Sequence, residues 1–136
     1  MKETIPSVEE LLQKIKKQEH KISLLQKKID SITNFEFFIR ETSDFICVSD
    51  LNNYFKEFNL VFIKKLGYTK RELLLNSFIK YIYPEDIPKT KQAHQDLLSG
   101  KTSIIFENRI LSKKGEVLSV QWTSIINPSK NLVYSI

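Results

Sequence analysis

The sequence predicts an α+β domain that follows a long N-terminal helix. Residues 7–33 carry a heptad pattern without Gly or Pro, which is typical of one continuous helix. Two short apolar segments with strand character lie within residues 44–58, and three more follow in residues 102–136. Short helical segments separate the two groups of strands. Because strands and helices are segregated rather than alternating, we predict an α+β architecture.

The N-terminal helix has the a and d positions of a coiled coil. Every a residue is β-branched and two of the four d residues are Leu, which favours two parallel helices. Gln18 is the polar exception at d, and it would fix the register at some cost in stability. The alternative to a coiled coil is a single amphipathic helix that folds back on its own domain. The predicted contact residues are Val8, Ile15, Ile22 and Ile29 at a, with Leu11, Gln18, Leu25 and Ile32 at d.

A denser apolar patch follows the heptads. Phe35, Phe37, Phe38 and Ile39 do not fit the heptad positions. We interpret this patch as a separate short helix that packs on the sheet of its own domain or of a partner's, and that ends at Thr42-Ser43.

The first two strands are predicted at Phe45–Val48 and Tyr54–Phe58. Asp50-Leu51-Asn52-Asn53 supplies turn residues between them, since Asn tolerates positive φ. Asn59 is then a suitable N-cap for a short helix, and Gly67 can end that helix by adopting positive φ.

The remaining elements carry recognisable start and stop residues. Thr69 and Glu72 have the spacing of a capping box. Pro84-Glu85-Asp86 predicts the start of the longest helix of the domain, and Ser99-Gly100 predicts its end. The last three strands are predicted at Thr102–Leu111, Val117–Ile126 and Leu132–Ile136.

Composition narrows the functional classes. The chain has 136 residues, with 41% apolar and 27% charged residues. It contains neither a signal-peptide core nor an apolar run of ~20 residues that would span a bilayer, so we expect a cytoplasmic chain, with any membrane segment lying outside it. Cys47 is the only cysteine, which excludes an internal disulfide. The net charge of +5 is spread over both halves without a basic stripe interleaved with aromatic residues, so the sequence argues against nucleic-acid binding.

The sequence offers no catalytic or metal-binding set. His20 occupies a solvent-facing position of the heptad helix, and His94 lies late in the long helix as a predicted surface or rim residue. No Cys or second His stands at ligand spacing from His94, and the three glycines cannot form a phosphate-binding loop. We therefore expect a protein that is not an enzyme.

Several motifs occur in the order and spacing of a known family. They are Val48-Ser49-Asp50-Leu51, Asn59, Phe62, Leu66-Gly67-Tyr68, Tyr83-Pro84-Glu85-Asp86, Phe106-Glu107-Asn108-Arg109 and Lys113-Lys114-Gly115. Together they resemble the PAS domain, a small sensory module of bacterial signalling proteins. The resemblance covers residues 35–136. It implies a five-stranded antiparallel sheet in the order 2-1-5-4-3, with short helices on one face. The predicted division is a signalling and dimerisation helix in residues 1–33 and a PAS domain in residues 34–136.

The resemblance also implies a function. A homodimeric sensory module would transmit a signal through the parallel coiled coil to an effector outside this chain, such as a histidine kinase of a two-component system or a cyclic-dinucleotide enzyme. The exit motif Asp-Ile-Thr, which normally follows the fifth strand, is not reached before Ile136. Either the sequence was trimmed at this end, or the chain is a fragment of a larger protein such as a sensor kinase without its catalytic part. A ligand-free assembly spacer is the alternative, and a basic nucleic-acid adaptor is a third.

Cofactors of this family are disfavoured by the residues present. Flavin-binding light sensors similar to PAS carry an adduct-forming Cys where this chain has Asn76-Ser77-Phe78-Ile79, while Cys47 lies in the first strand. Haem-binding members use a His on the long helix, and His94 lies in the C-terminal half of that helix. We expect neither flavin nor haem, and leave open an unidentified small ligand.

A ligand cavity is predicted between the sheet and the helices. Leu118, Val120, Trp122 and Ser124 share one face of the fourth strand because side chains alternate. Glu107 and Arg109 would anchor a ligand if they pointed inward and would form a surface pair if they pointed outward, and we favour outward for at least one. The candidate pocket residues are Phe62, Leu66, Ile79, Ile105, Glu107, Arg109, Val120 and Trp122.

Overall fold

A computed structural model of the chain describes residues 5–136, which divide into two compact units, the first ending at Phe38 and the second beginning at Ile39. Helix α1 spans Val8–Glu41 and buries none of its residues within the single chain. Ser7 and Glu10 cap its start reciprocally: the Glu10 amide donates to Ser7 Oγ at 3.2 Å, and the Ser7 amide donates to the Glu10 carboxylate at 2.9 Å. The predicted helix start at Ser7 is therefore confirmed.

The prediction of a separate short helix at Phe35 is wrong, because α1 continues through this segment without interruption. A break in a heptad pattern changes which side of a helix is apolar and does not interrupt the backbone. The segment contains neither Gly nor Pro, and Thr33 Oγ1 donates back to the Ile29 carbonyl at 2.9 Å within the helix.

The second unit is built on the predicted sheet. Five antiparallel strands are arranged in the order β2-β1-β5-β4-β3, as the resemblance implied. Strand β3 therefore lies at one edge and β2 at the other. The strands are β1 (Cys47–Asp50), β2 (Phe55–Phe58), β3 (Ser103–Leu111), β4 (Val117–Asn127) and β5 (Leu132–Ser135).

Three helices and two 3₁₀ turns connect β2 to β3. The turns are Phe78–Tyr81 and Pro84–Asp86, and the helices are α2 (Val61–Leu66), α3 (Lys70–Leu75) and α4 (Ile87–Leu98). Gly67 ends α2 with a φ of 75°, and Thr69 and Glu72 form the predicted capping box of α3. The order of strands, helices and strands confirms the α+β class.

The long helix begins later than predicted. Pro84–Asp86 forms a 3₁₀ turn, and α4 starts at Ile87. Pro88 explains the difference, because it has no amide hydrogen to donate to the Pro84 carbonyl in an α-helical bond. The Ile87 amide takes that acceptor instead, which produces the tighter turn.

Asn59 does not cap α2, contrary to the prediction. Leu60 occupies the N-cap without a side-chain hydrogen bond. The buried Asn59 side chain points the other way: its Oδ1 accepts from the Ile46 amide at 3.1 Å, and its Nδ2 donates to the Ile39 carbonyl at 3.0 Å and the Asp44 carbonyl at 2.8 Å. Asn59 thereby ties down the segment that leads into β1.

An aromatic cluster fills one end of the space between sheet and helices. Phe62 is 1% exposed, and its ring lies 4.8 Å from that of Phe45 and 5.2 Å from that of Phe55, centroid to centroid. Trp122 also packs on Phe62, at 6.4 Å. The β4 side chains alternate as predicted, because the even-numbered residues Leu118 to Ser124 are buried or half-buried and the odd-numbered ones are exposed.

Candidate functional site

The second unit contains a small, partly open cavity between the inner face of the sheet and α4. Its volume is about 70 Å³. The residues that line it come from all five strands, α2, α4 and the turn at Phe78–Tyr81. The cavity is therefore a product of the whole fold of this unit.

The floor of the cavity is a row of four strand residues, three of which have short side chains. Cys47, Ser135, Ser124 and Ile104 are direct neighbours across β1, β5, β4 and β3, and all four line the cavity. Ser124 and Ser135 share a hydrogen bond of 2.7 Å between their hydroxyl oxygens. Three adjacent positions with Cys or Ser leave space that larger side chains would fill, which explains why a void exists here.

A buried chain of hydrogen bonds forms the wall next to α4. Trp122 Nε1 donates to Asn108 Oδ1 at 2.9 Å, and Asn108 Nδ2 donates to Thr90 Oγ1 at 3.0 Å. Thr90 Oγ1 in turn donates to the Asp86 carbonyl at 2.8 Å. Trp122, Asn108 and Thr90 are all buried and all line the cavity. Their polar groups are thus matched to one another across β4, β3 and α4.

An ion pair continues this connection at the edge of the sheet. Asp86 is buried, and its Oδ2 accepts from the Arg109 amide at 2.7 Å and from Arg109 Nε at 3.0 Å, while its Oδ1 accepts from Arg109 Nη2 at 2.7 Å. The Arg109 guanidinium holds the pKa of Asp86 well below its usual range. It also lies 4.2 Å from the centre of the Tyr83 ring. The start of α4 is therefore fastened to β3.

Acid should destabilise the fold, because the carboxylates of Asp50, Glu72, Asp86 and Asp96 all have lowered pKa values. Lys113, with a hydrogen bond of 2.8 Å, and the Thr69 amide hold the pKa of Glu72 at about 2, below its ordinary value of 4.5. The pKa of Asp86 is lowered as well, because of its hydrogen bonds to Arg109. As the pH falls, these carboxylates take up protons in the unfolded chain before they do so in the folded one. The stabilisation that they give the fold is therefore present above pH ~5 and is lost as the pH falls from about 4.5 towards 2. The urea midpoint should decrease over that window.

Glu72→Gln tests this pH dependence. The variant should be less stable at pH 7 and should lose less of its remaining stability between pH 5 and pH ~2 than the unaltered protein does. Glu107→Gln, which removes an exposed carboxylate on β3, is the control and should keep the full dependence. An unchanged acid dependence in Glu72→Gln would contradict the assignment.

The structure brings together only part of the predicted pocket. Phe62, Leu66 and Trp122 line the cavity. Val120 packs against the core without lining the cavity, and Ile79 is half-buried outside it.

The other three predicted pocket residues belong to the outward positions of β3. Ile105 is 70% exposed, and Glu107 accepts from Gln121 Nε2 at 3.3 Å on the outer face. Arg109 projects from β3, the edge strand, and donates a hydrogen bond to Asp86. The inward positions of this strand are held by Ile104, Phe106, Asn108 and Ile110.

His94 and Cys47 have a larger part in the cavity than their sequence context indicated. His94 lines the cavity, and its Nε2 lies 3.1 Å from the Leu51 carbonyl, which can only accept, so Nε2 carries the hydrogen. Cys47 also lines it, and burial raises the pKa of its thiol to about 12. Asn108 was missed as well, although strand alternation from Phe106 would have placed it inward.

Helix α1 carries a second candidate site. Its apolar a and d residues are all exposed within the single chain, from 43% for Leu11 to 73% for Val8. Phe35 and Phe38 are also more than half exposed and stack at 6.5 Å. An apolar stripe of this length on one helix is typical of a surface that packs against a partner.

Residues 5–136 contain neither a metal-binding cluster nor a membrane-spanning helix. No group of three or more His, Cys, Asp or Glu side chains is placed to hold a metal ion within this range. None of the helices in the same range combines the length and the apolar character that crossing a membrane requires.

Comparison with known proteins identifies the fold of the second unit. The sequence profile of the PAS fold family matches residues 57–135. No curated protein matches the chain. Solved structures similar to this chain are numerous, and all those compared below share less than 25% sequence identity with it, so they bear on fold alone.

Three solved structures illustrate the similarity. A domain of a sensory box sensor histidine kinase/response regulator from Geobacter sulfurreducens has a TM-score of 0.66 at 15% identity, covering 77% of this chain and 90% of that one. The PAS domain of an HTR-like protein from Haloarcula marismortui has a TM-score of 0.64 at 22% identity, covering 84% and 97%. Drosophila melanogaster Cycle PAS-B with bound ethylene glycol has a TM-score of 0.60 at 19% identity, covering 68% and 96%.

Proposed function

The chain belongs to the PAS fold family, and we propose that it is a non-catalytic sensory and dimerisation module that transmits a signal through a parallel coiled coil to an effector outside this chain. The observation that carries the proposal is the exposed stripe of a and d residues on α1, a helix that runs directly into the PAS unit. The cavity in the PAS unit supplies a place where a signal can act.

The partner of α1 is a second copy of this chain. In a parallel, in-register pair each a residue meets its own equivalent, so Ile15, Ile22 and Ile29 stack along one seam. Gln18 meets Gln18 of the second copy, where the two amides can bond to each other. Any shift in register would place Gln18 against an apolar side chain, which explains how one polar residue fixes the pairing.

The charges beside the seam support a parallel orientation. Three g positions are occupied by Lys14, Lys21 and Lys28. In a parallel pair the g residues face e residues of the second copy, so Lys14 faces Glu19 of the opposite sign. In an antiparallel pair g faces g, which would bring lysines of the two copies together. Like charges disfavour that arrangement.

A route from the cavity to α1 is supplied by aromatic contacts and by Asn59. Phe62 lines the cavity and contacts Phe45, which lies between α1 and β1. Asn59 holds the Ile39 carbonyl, and Lys65 Nζ donates to the Ser43 carbonyl at 3.0 Å. A shift of Phe62 would therefore displace the segment that continues into α1. Packed interfaces respond to such shifts by switching between discrete arrangements.

The size of the cavity limits the ligand. A dry cavity of about 150 Å³ in another protein holds benzene, and this one is about 70 Å³. Flavin and haem exceed it several-fold, and Ser77 stands in the stretch where the flavin-binding light sensors similar to PAS carry an adduct-forming Cys. We therefore propose a small uncharged ligand with a few heavy atoms. Ethylene glycol bound to Cycle PAS-B is a molecule of that size.

Titration with 1-propanol tests ligand binding by NMR. Saturable shifts are expected for the indole N–H of Trp122 and for the side-chain amide of Asn59. A dissociation constant near 1 mM, about −4 kcal/mol, is within the ceiling of about −1.5 kcal/mol per heavy atom for a four-atom ligand. Ser124→Leu should abolish the shifts by filling the cavity floor. Thr123→Val, on the exposed side of the same strand, should retain them.

The same titration separates the two candidate functions. A ligand-free assembly spacer is favoured by the small volume of the cavity, and it predicts non-saturating shifts that are equal in Ser124→Leu and the unaltered protein. That result would remove ligand sensing and leave dimerisation through α1. The effector remains a proposal by analogy, since a sensor histidine kinase is the protein that contains one of the similar domains.

A further inference from the structure

A second hollow lies against the cavity, between α4 and the start of β3. It is a groove of about 270 Å³ that opens to the surface, lined by Ala93, Asp96, Lys101, Ser103 and Ile105 together with Ile104 and Phe106. Ile104 and Phe106 also line the cavity. These two side chains are thus a wall with the cavity on one side and the groove on the other. We propose that the groove is the entrance to the cavity and that Phe106 is its gate.

The way α4 is held supports an opening at this place. The N-terminal end of α4 is bonded to β3 through Asp86 with Arg109 and through Thr90 with Asn108. Ala93 and Asp96, one and two turns further along, border the groove instead. The carboxylate of Asp96 bonds to Gln92 and Lys101, at 2.9 and 3.0 Å, and so is satisfied within α4 and the turn that follows it. Separation of α4 from β3 at the groove therefore breaks none of these bonds.

Phe106 is the better gate of the two wall residues. Its side chain is half-buried and packs at the margin of the core, and the register places it directly opposite Trp122. Rotation of an aromatic side chain at such a margin joins two spaces without unfolding, on the timescale of side-chain motion. The Lys101–Asp96 pair at the mouth cancels charge locally. The entrance is thus suited to small uncharged molecules.

The biological purpose of this entrance rests on the proposed sensory function. The route from the groove into the cavity can be measured without the natural ligand. Cys47 is the only cysteine in the sequence and lines the cavity. Methyl methanethiosulfonate is small and uncharged. The Cys47 thiolate attacks its sulfenyl sulfur, the thiol proton goes to solvent, and methanesulfinate leaves with the electron pair of the broken S–S bond. Mass spectrometry then follows formation of the methyl disulfide.

Phe106→Ala should increase the rate of Cys47 labelling about tenfold under native conditions, since it removes the aromatic part of the wall. Ala93→Phe should decrease the rate several-fold by filling the groove. Leu74→Ala is the control: Leu74 packs against the same core from α3 and lines neither hollow, so its truncation should leave the native-state rate unchanged. Labelling through the gate should also change little at low urea concentrations.

The opposite pattern would overturn the gate. Labelling rates could instead follow the global stability of each variant. In that case Phe106→Ala and Leu74→Ala would both be labelled faster in proportion to their lost stability, with a steep urea dependence, and Cys47 would be reached only by unfolding. Equal rates in Ala93→Phe and the unaltered protein would exclude the groove as the route. Either result leaves the 1-propanol titration and the oligomeric state unaffected, so failure of the gate is distinguishable from failure of the proposed function.

Discussion

Ile22→Asp is expected to convert the protein from a dimer to a monomer. Ile22 occupies the a position near the centre of the heptad pattern and is 63% exposed in the single chain. In the paired helix two aspartates would face each other within an apolar seam. The loss of apolar burial, the desolvation of two carboxylates and their mutual repulsion together should cost at least ~4 kcal/mol, or about 1000-fold in dissociation constant. Sedimentation equilibrium measures this directly.

Ser23→Asp provides the matched control, because it adds the same charge on the next residue at the outward b position. It should remain dimeric at about 100 µM, a concentration that populates a dimer with a dissociation constant near 1 µM. Circular dichroism of both variants reports whether α1 stays helical. A dimer that persists in Ile22→Asp, or a monomer in the unaltered protein, would contradict pairing through the a and d stripe.

Asn108→Leu should produce the largest loss of stability in the PAS unit. Leu has the same number of side-chain heavy atoms and the same branching as Asn, so the change removes hydrogen bonds with little loss of packing. Trp122 Nε1 would lose its acceptor, and Thr90 Oγ1 would lose its donor, inside the cavity wall. A buried polar group left without a partner costs about 1–3 kcal/mol. We expect a total loss of about 2–4 kcal/mol, which lowers the Tm of a domain of this size by roughly 10–20 °C.

Thermal unfolding followed by circular dichroism checks this value, and Thr90→Val separates the two hydrogen bonds. The Val variant keeps the shape of the side chain and the Asn108 acceptor for Trp122, and it removes the acceptor of Asn108 Nδ2. It should therefore be less stable than the unaltered protein and more stable than the Leu variant, in which Trp122 Nε1 also loses its acceptor. Glu107→Gln, the exposed neighbour on the same strand, should change the Tm by less than about 2 °C. A comparable loss in Glu107→Gln would contradict the role of the buried chain.

Local sequence signals predicted the parts of the fold that depend on local physics. The Thr69–Glu72 capping box and the stop at Gly67 formed as expected, because each is decided by residues within one turn. Alternation on β4 identified Trp122 and Ser124 as inward residues. The strand order was implied by the family resemblance, since pairing of β1 with β5 joins residues too far apart for local pattern to specify.

The failures have a common physical origin in side-chain direction and in non-local packing. An Asn before a helix can cap it or reach backwards, and Asn59 does the latter because three backbone groups of the preceding segment lie within reach. Alternate residues of β3 face opposite sides of the sheet, and the sequence did not decide which of the two sets faces the cavity. Ile105 belongs to the set that faces outward. The cavity itself exists because Cys47, Ser135 and Ser124, from three strands, are adjacent in the sheet.

Pulsed dipolar spectroscopy tests the parallel pairing of α1 most directly. Spin labels would be placed at the outward f positions in two separate variants, Gln13→Cys and His20→Cys, each also carrying Cys47→Ser. A parallel, in-register pair predicts the same label-to-label distance at both positions. An antiparallel pair centred near His20 would lengthen the axial separation at Gln13 by about 20 Å, at ~1.5 Å per residue over twice seven residues. That unequal result, or the absence of dipolar coupling at both positions, would contradict the proposed parallel pairing.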